Sequence, residues 1–143
     1  MPSGRLSGQT AFLGASIGRY ANRIARSRFT LDGGTVRFTS QGENQLHGGP
    51  EGFDKRRWKI VHQNAGEVCS LWSGRRPGLP GQSRRNRAIS LTEDNRISIE
   101  YRATVDKPCP VNLTNHAYFN LDGGSLTFAT TSCRFWRTVS AGR

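Results

Sequence analysis

The sequence predicts an all-β chain of antiparallel sheets with few or no long helices. Three observations carry this. Residues 96–105, Arg-Ile-Ser-Ile-Glu-Tyr-Arg-Ala-Thr-Val, alternate strictly. Ile97, Ile99, Tyr101, Ala103 and Val105 fall on one face, and Ser98, Glu100, Arg102 and Thr104 on the other. That is the period of a strand with one side against a core. Residues 28–38 read as a hairpin, because Asp32-Gly33-Gly34 supplies the positive-φ turn between two apolar-rich arms. No stretch sustains the 3.6-residue apolar repeat of a long amphipathic helix.

Taken in order, Arg19 to Arg26 can form one helical turn. The 28–38 hairpin follows, and Trp58-Lys59-Ile60-Val61 is a further short strand. The long strand after residue 95 ends at Asp106-Lys107-Pro108, since proline cannot donate to a ladder. A few strands joined by many loops point to part of a sandwich. Residues 69–90 and 123–143 depart from this. They are rich in Arg, Ser, Gly, Pro, Cys and Trp without periodicity, which predicts a flexible basic loop and tail.

At 143 residues the chain is either one domain or part of a larger one, and its 34% hydrophobic content is low for a packed domain. No run of 18 apolar residues is present, so no membrane helix is expected. Met1-Pro2-Ser3-Gly4-Arg5 lacks the apolar segment of a secretory signal. Cys69, Cys109 and Cys133 show no metal-ligand spacing and cannot all pair, so a reducing, cytoplasmic setting is expected. The net charge of +11 would suit nucleic acid. Its distribution does not. Residues 12–68 carry +4 and residues 91–122 carry −2, so the remaining +9 lies in 1–11, 69–90 and 123–143. Those three segments hold arginine with no lysine and no acid. A basic binding face commonly mixes both cations and keeps some acids nearby, so neither nucleic acid nor membrane is expected as a partner.

Residues 110–123, Pro-Val-Asn-Leu-Thr-Asn-His-Ala-Tyr-Phe-Asn-Leu-Asp-Gly, hold the most chemistry. His116 sits among amides and aromatics, with no charged residue until Asp122. A neutral imidazole with amide neighbours and a ring to pack a ligand suits proton transfer to an uncharged polyol. It suits a metal or phosphate less well. In Asn44-Gln45-Leu46-His47-Gly48-Gly49-Pro50, glycines beside His47 permit close approach of a ligand, although a histidine in such a loop is more often a turn residue. Gly18-Arg19-Tyr20-Ala21-Asn22-Arg23-Ile24 offers two guanidiniums and an amide for hydroxyls or a carboxylate, or a solvated turn. His62 follows a strand and reads as surface.

Together the three stretches resemble the aldose 1-epimerase family, the galactose mutarotases, in its enterobacterial form. The matching runs are residues 18–25, residues 44–58 and residues 108–121, in the family's order and spacing. The family-like segments are 10–68 and 91–122, and the chain is expected to be one partial domain, 1–143, of that family. The resemblance implies a large β-sandwich binding sugar in an open cleft. It implies interconversion of the α- and β-anomers of hexoses such as galactose and glucose, without cofactor or metal. It makes His116 the proton donor to the ring oxygen and His47 a second histidine bonding the sugar near that oxygen. Asn22, Arg23, Ala117 and Tyr118 become sugar contacts.

The chain also departs from the family. The resemblance puts the catalytic base, a glutamate, and a sugar-binding aspartate downstream of residue 143. A chain truncated in this way is expected to leave open sheet edges and an uncovered apolar face, and so to associate and dissolve poorly. It is also expected to be inactive. A non-catalytic sugar-binding remnant and a basic nucleic-acid module are the alternatives. Segments 1–9, 69–90 and 123–143 are aberrant, and two of them read as family sequence in a shifted frame. One permitted coding of Gln82–Ser90, displaced by one base, gives Asn-Leu-Gly-Ala-Thr-Val-Gln-Tyr-Arg. Gly78–Gly81 recodes to Gly-Phe-Pro-Gly. A coding of Leu126–Arg137 gives Asp-Val-Arg-Asn-His-Lys-Leu-Gln-Ile-Leu-Ala. A frameshift, or base-call errors, would account for both.

Overall fold

The computed structural model describes residues 10–38, 43–75 and 81–120. Segments 1–9 and 123–143, with Asp122 and Cys133, lie outside them, as do Gly78, Leu79 and Pro80 of the turn before Gly81. The elements are β1 (Ser16–Ile17), β2 (Arg23–Ile24), β3 (Arg28–Leu31), β4 (Gly34–Arg37), β5 (Gln45–Leu46), β6 (Lys59–Gln63), β7 (Glu67–Arg75), β8 (Gln82–Leu91), β9 (Ile97–Val105) and β10 (Thr114–Asn115). Single 3₁₀ turns occupy Ala25–Ser27, Gly49–Glu51 and Phe53–Lys55. All paired strands run antiparallel, as expected.

The four long strands form one sheet in the order β6-β7-β8-β9. β9 has the span and end expected of it, stopping one residue before Asp106. Its register against β8 is unbroken from Leu91↔Ile97 to Ser83↔Val105. Cross-strand neighbours share a face, so Ile99, Tyr101 and Ala103 lie on the same side as Ile89, Arg87 and Arg85. The 28–38 hairpin forms as β3 and β4, with Asp32 at φ 49° and Gly33 at φ 77°. Phe29 stacks on Phe38 across a small core with Ile24, Tyr20 and Val36.

Above the inner face of the four-stranded sheet lies a second layer: the β1–β10 pair and the turn at Phe53. Ser16 Oγ lies 3.1 Å from the Tyr101 hydroxyl and accepts from Arg87 Nη1 at 2.8 Å. Phe53, 1% exposed, packs on Trp72 and Trp58 at 5.0 and 5.9 Å between ring centroids. Gly18 makes this layering possible. A β-carbon there would sit 2.6 Å from both Leu113 Cδ2 and Phe53 Cδ2.

Two expectations are corrected. Residues 69–75 and 82–90 are not a flexible loop, because β7 and β8 run through them and β8 is an interior strand. A ladder is made by backbone groups, and β8 has a neighbour to bond on each side. Its arginines also find aromatic surface. The Arg85 guanidinium lies 4.6 Å from the Phe53 ring centre, and that of Arg87 lies 5.2 Å from the Trp58 ring centre. Second, residues 19–24 form no helical turn. Their backbone is bonded to Asn112 on one side and to residues 45–47 on the other, leaving one 3₁₀ turn at Ala25–Ser27.

Ile60, Leu91 and Ile97 remain more than half exposed, the open apolar surface that the sequence predicts. Gly18→Ala should lower the urea midpoint followed by tryptophan fluorescence, costing about 1–3 kcal/mol through overpacking. An unchanged midpoint would mean that Phe53 and Leu113 can move apart freely.

Candidate functional site

The site is assembled by residues 14–24. At one end, Gly14 N–H donates to the His116 carbonyl at 3.2 Å, and His116 N–H donates to Ala15 O at 2.9 Å. The β1–β10 register continues this pairing through Ser16↔Asn115 and Ile17↔Thr114. Asn112 N–H then donates to Arg19 O, and Ala21 N–H to Asn112 O, both at 2.9 Å. The Asn112 side-chain amide adds a 2.9 Å bond to Ala21 O. At the other end, Arg23↔Leu46 and Ile24↔Gln45 pair β2 with β5. One extended stretch thereby holds the His116 loop and the His47 loop side by side.

The imidazoles of His47 and His116 lie 5.1 Å apart between centroids, at 83°. His47 is fixed from two directions. Its backbone N–H donates to Asn22 O at 3.1 Å, and its Nδ1 accepts from Asn22 N–H at 3.0 Å. A neutral ring that accepts at Nδ1 carries its proton on Nε2, so the His47 donor is Nε2–H. Both residues sit in the left-handed region, His47 at φ 53° and Asn22 at φ 71°. Non-glycine residues in that region are uncommon, and Asn and His are among those that tolerate it best. Gly52 secures the loop beneath, since a β-carbon there would lie 2.8 Å from the His47 carbonyl.

Burial is the main cause holding the His47 pKa below its ordinary 6.5, and the neighbouring His116 and Arg23 add to it against Asp54. His47 is therefore biased to the neutral form. Tyr118, half-exposed, sets its ring 5.3 Å from His116. Ala117 N–H donates to Asn115 Oδ1 at 2.8 Å, an Asx turn that fixes the chain after His116. Arg23 is exposed on β2 beside Asn22. All six residues expected at the site, Asn22, Arg23, His47, His116, Ala117 and Tyr118, are thus gathered in one region. His62 is exposed on β6, as the sequence predicts.

Phe12 was not legible as a site residue. Its ring lies 4.9 Å from His47 and 5.8 Å from His116, with the Lys55 ammonium 6.0 Å from its centre. It has no motif of its own, and only the pairing of Gly14 with His116 brings it here. No group of three or more His, Cys, Asp or Glu side chains suited to a metal occurs among the described residues. No described helix is long and apolar enough to cross a membrane.

The family model of aldose 1-epimerase matches residues 2–138. The chain belongs to the aldose 1-epimerase family. It is 67% identical over 118 residues to the aldose 1-epimerase of Escherichia coli K12, a match covering 80% of this chain and 34% of that protein. Against the aldose 1-epimerase of Haemophilus influenzae the identity is 50% over 115 residues, covering 78% and 34%. In structure it superposes on the aldose epimerase homologue from C. elegans with a TM-score of 0.81 at 35% identity, covering 86% of this chain and 39% of that one. The chain therefore spans about a third of the length of the curated relatives it matches.

A proton titration of the histidine ring carbons by NMR should place the His47 midpoint below 6.5. Because that pKa is depressed in the folded state, the stability tied to neutral His47 is present above pH 6.5 and is lost as pH falls through the folded value. A His47 midpoint at or above 6.5 would show that the ring is not buried beside His116 and Arg23 as described.

Proposed function

We propose that this chain carries the proton-donor side of a mutarotase site, for the anomers of hexoses such as galactose and glucose. Mutarotation needs an acid at the ring oxygen and a base at the C1 hydroxyl. The ring opens, the C1–C2 bond rotates, and closure gives the other anomer. In this reading His116 protonates the ring oxygen and His47 donates Nε2–H beside it. Asn22, Arg23, Ala117 and Tyr118 hold the hydroxyls and the apolar face of the sugar. The observation that carries it is the perpendicular pairing of the two imidazoles, one held at Nδ1 by the Asn22 N–H, which leaves Nε2 as its donor. The lowered pKa of His47 suits it to a hydrogen-bonding role beside the sugar. A cytoplasmic setting fits the free thiols of Cys69 and Cys109.

Residues 1–143 hold the acid, and the resemblance puts the glutamate base downstream of them. Losing one partner of an acid–base pair costs on the order of 10²–10⁴-fold in rate. Residues 1–143 on their own are expected to bind sugar without useful turnover. Galactose titration should shift the His47, His116 and Tyr118 ring resonances, and polarimetry on fresh α-galactose should show no acceleration over buffer. Absent ring shifts would remove the sugar site. Acceleration that disappears in His116→Ala would show that the chain needs no further base.

We infer also that β8 is encoded out of frame. Its odd positions face the inner layer, and Ser83 and Arg85 are buried there. The shifted reading places Leu, Ala, Val and Tyr at positions 83, 85, 87 and 89. It places Asn, Gly, Thr, Gln and Arg at the outward positions 82, 84, 86, 88 and 90. That is the alternation a half-buried strand requires. Coding DNA whose codons cannot give this reading would end the inference.

A further inference from the structure

The four-stranded sheet has two edges, and they differ. β6 carries Lys59 and an irregular register between Ile60 and His62, both of which discourage edge pairing. β9 has neither. It runs nine residues without bulge or proline, is continuously bonded to β8 on one side, and has no ladder partner on the other among the described residues. Such an edge is a template for another strand.

The sequence of β9 says which strand fits. Read antiparallel about Tyr101, it is complementary to itself. Ile97 falls opposite Val105, Ser98 opposite Thr104, Ile99 opposite Ala103, and Glu100 opposite Arg102. Every apolar pair lies on one face and every polar pair on the other. The two-fold axis makes the Glu–Arg pair occur twice. Within one chain these groups already touch, with Arg102 Nε 2.6 Å from Glu100 Oε1, and both are exposed. Ile97, 54% exposed, and Val105, 37% exposed, would cover each other. A register slip of one residue would set apolar side chains against the polar face. A slip of two changes the charge pairing.

We propose that the β9 edge docks a second copy of this chain, strand to strand and antiparallel about Tyr101. The two four-stranded sheets join into one of eight. The contact is isologous and closes at two copies, because it uses each β9 edge once and the β6 edges are blunted. The association expected of an open sheet is thus finite.

Sedimentation velocity on the intact 143-residue chain tests this, with far-UV circular dichroism confirming that each variant keeps its strands. The wild-type chain should sediment as a dimer, at twice the 15.8 kDa chain mass. E100R puts arginine opposite Arg102 of the second copy, and R102E puts glutamate opposite Glu100. Each should raise the dimer Kd on the order of tenfold, since two attractive cross-strand pairs become repulsive. Mixing the two variants should restore association, because every pair across the axis is then opposite in charge while neither chain holds an internal pair. The double variant E100R/R102E should also dimerise. A wild-type chain that stays monomeric would assign the edge to the rest of a longer polypeptide and overturn the proposal. So would a mass that grows without limit, or single variants that dimerise as well as wild type.

Discussion

The structure depends on one extended stretch, residues 14–24, bonded along both of its sides. Its first half pairs with residues 112–116 and its second half with 45–47. A net backbone hydrogen bond is worth only about 0.5–1.5 kcal/mol, so no single one of these bonds decides the fold. Their joint effect is geometric. His47 and His116 are far apart in sequence and have no direct bond to each other. They meet because each loop is held in register by the same intervening strand. Gly18 and Gly52 permit it by leaving room where a β-carbon would strike Phe53, Leu113 or the His47 carbonyl.

The four-stranded sheet beneath has an unusual inner face. Ile99 and Tyr101 of β9 have the character expected of such a face, while the neighbouring β8 positions carry Arg87 and Arg85. Arg85 is fully buried against Phe53 and Trp72. Desolvating a guanidinium is expensive, and a well-packed apolar residue of similar volume is often neutral or better in its place. Ser83 takes hydrogen bonds from both Arg19 and Arg85. The strand is thus kept by its backbone neighbours and by aromatic faces, while its own inward side chains work against it.

Much of this was legible in the residues. β9 and its end at Asp106, the Asp-Gly hairpin, and the exposed apolar surface all follow from period-2 alternation and turn chemistry. The six residues expected at the site came from the resemblance, and the fold brings them into one region. The motif stretches alone left His47 open between turn residue and ligand. β8 was illegible because its alternation is lost, with Arg85 and Arg87 where the inner face calls for apolar side chains, and strand pairing from β7 and β9 overrides composition. Residues 19–24 can turn as a helix, but Asn112 and the His47 loop claim their backbone groups. Phe12 was missed because its place follows from long-range register rather than from any local signal.

The isolated polypeptide already brings His47 and His116 together. The direct test is a nuclear Overhauser measurement between their ring protons in the 143-residue chain, without added sugar. Cross-peaks are expected between the His47 and His116 rings, and from both to the Phe12 ring, since the centroids lie between 4.9 and 5.8 Å apart. Histidine resonances at random-coil positions with no such cross-peaks would contradict it.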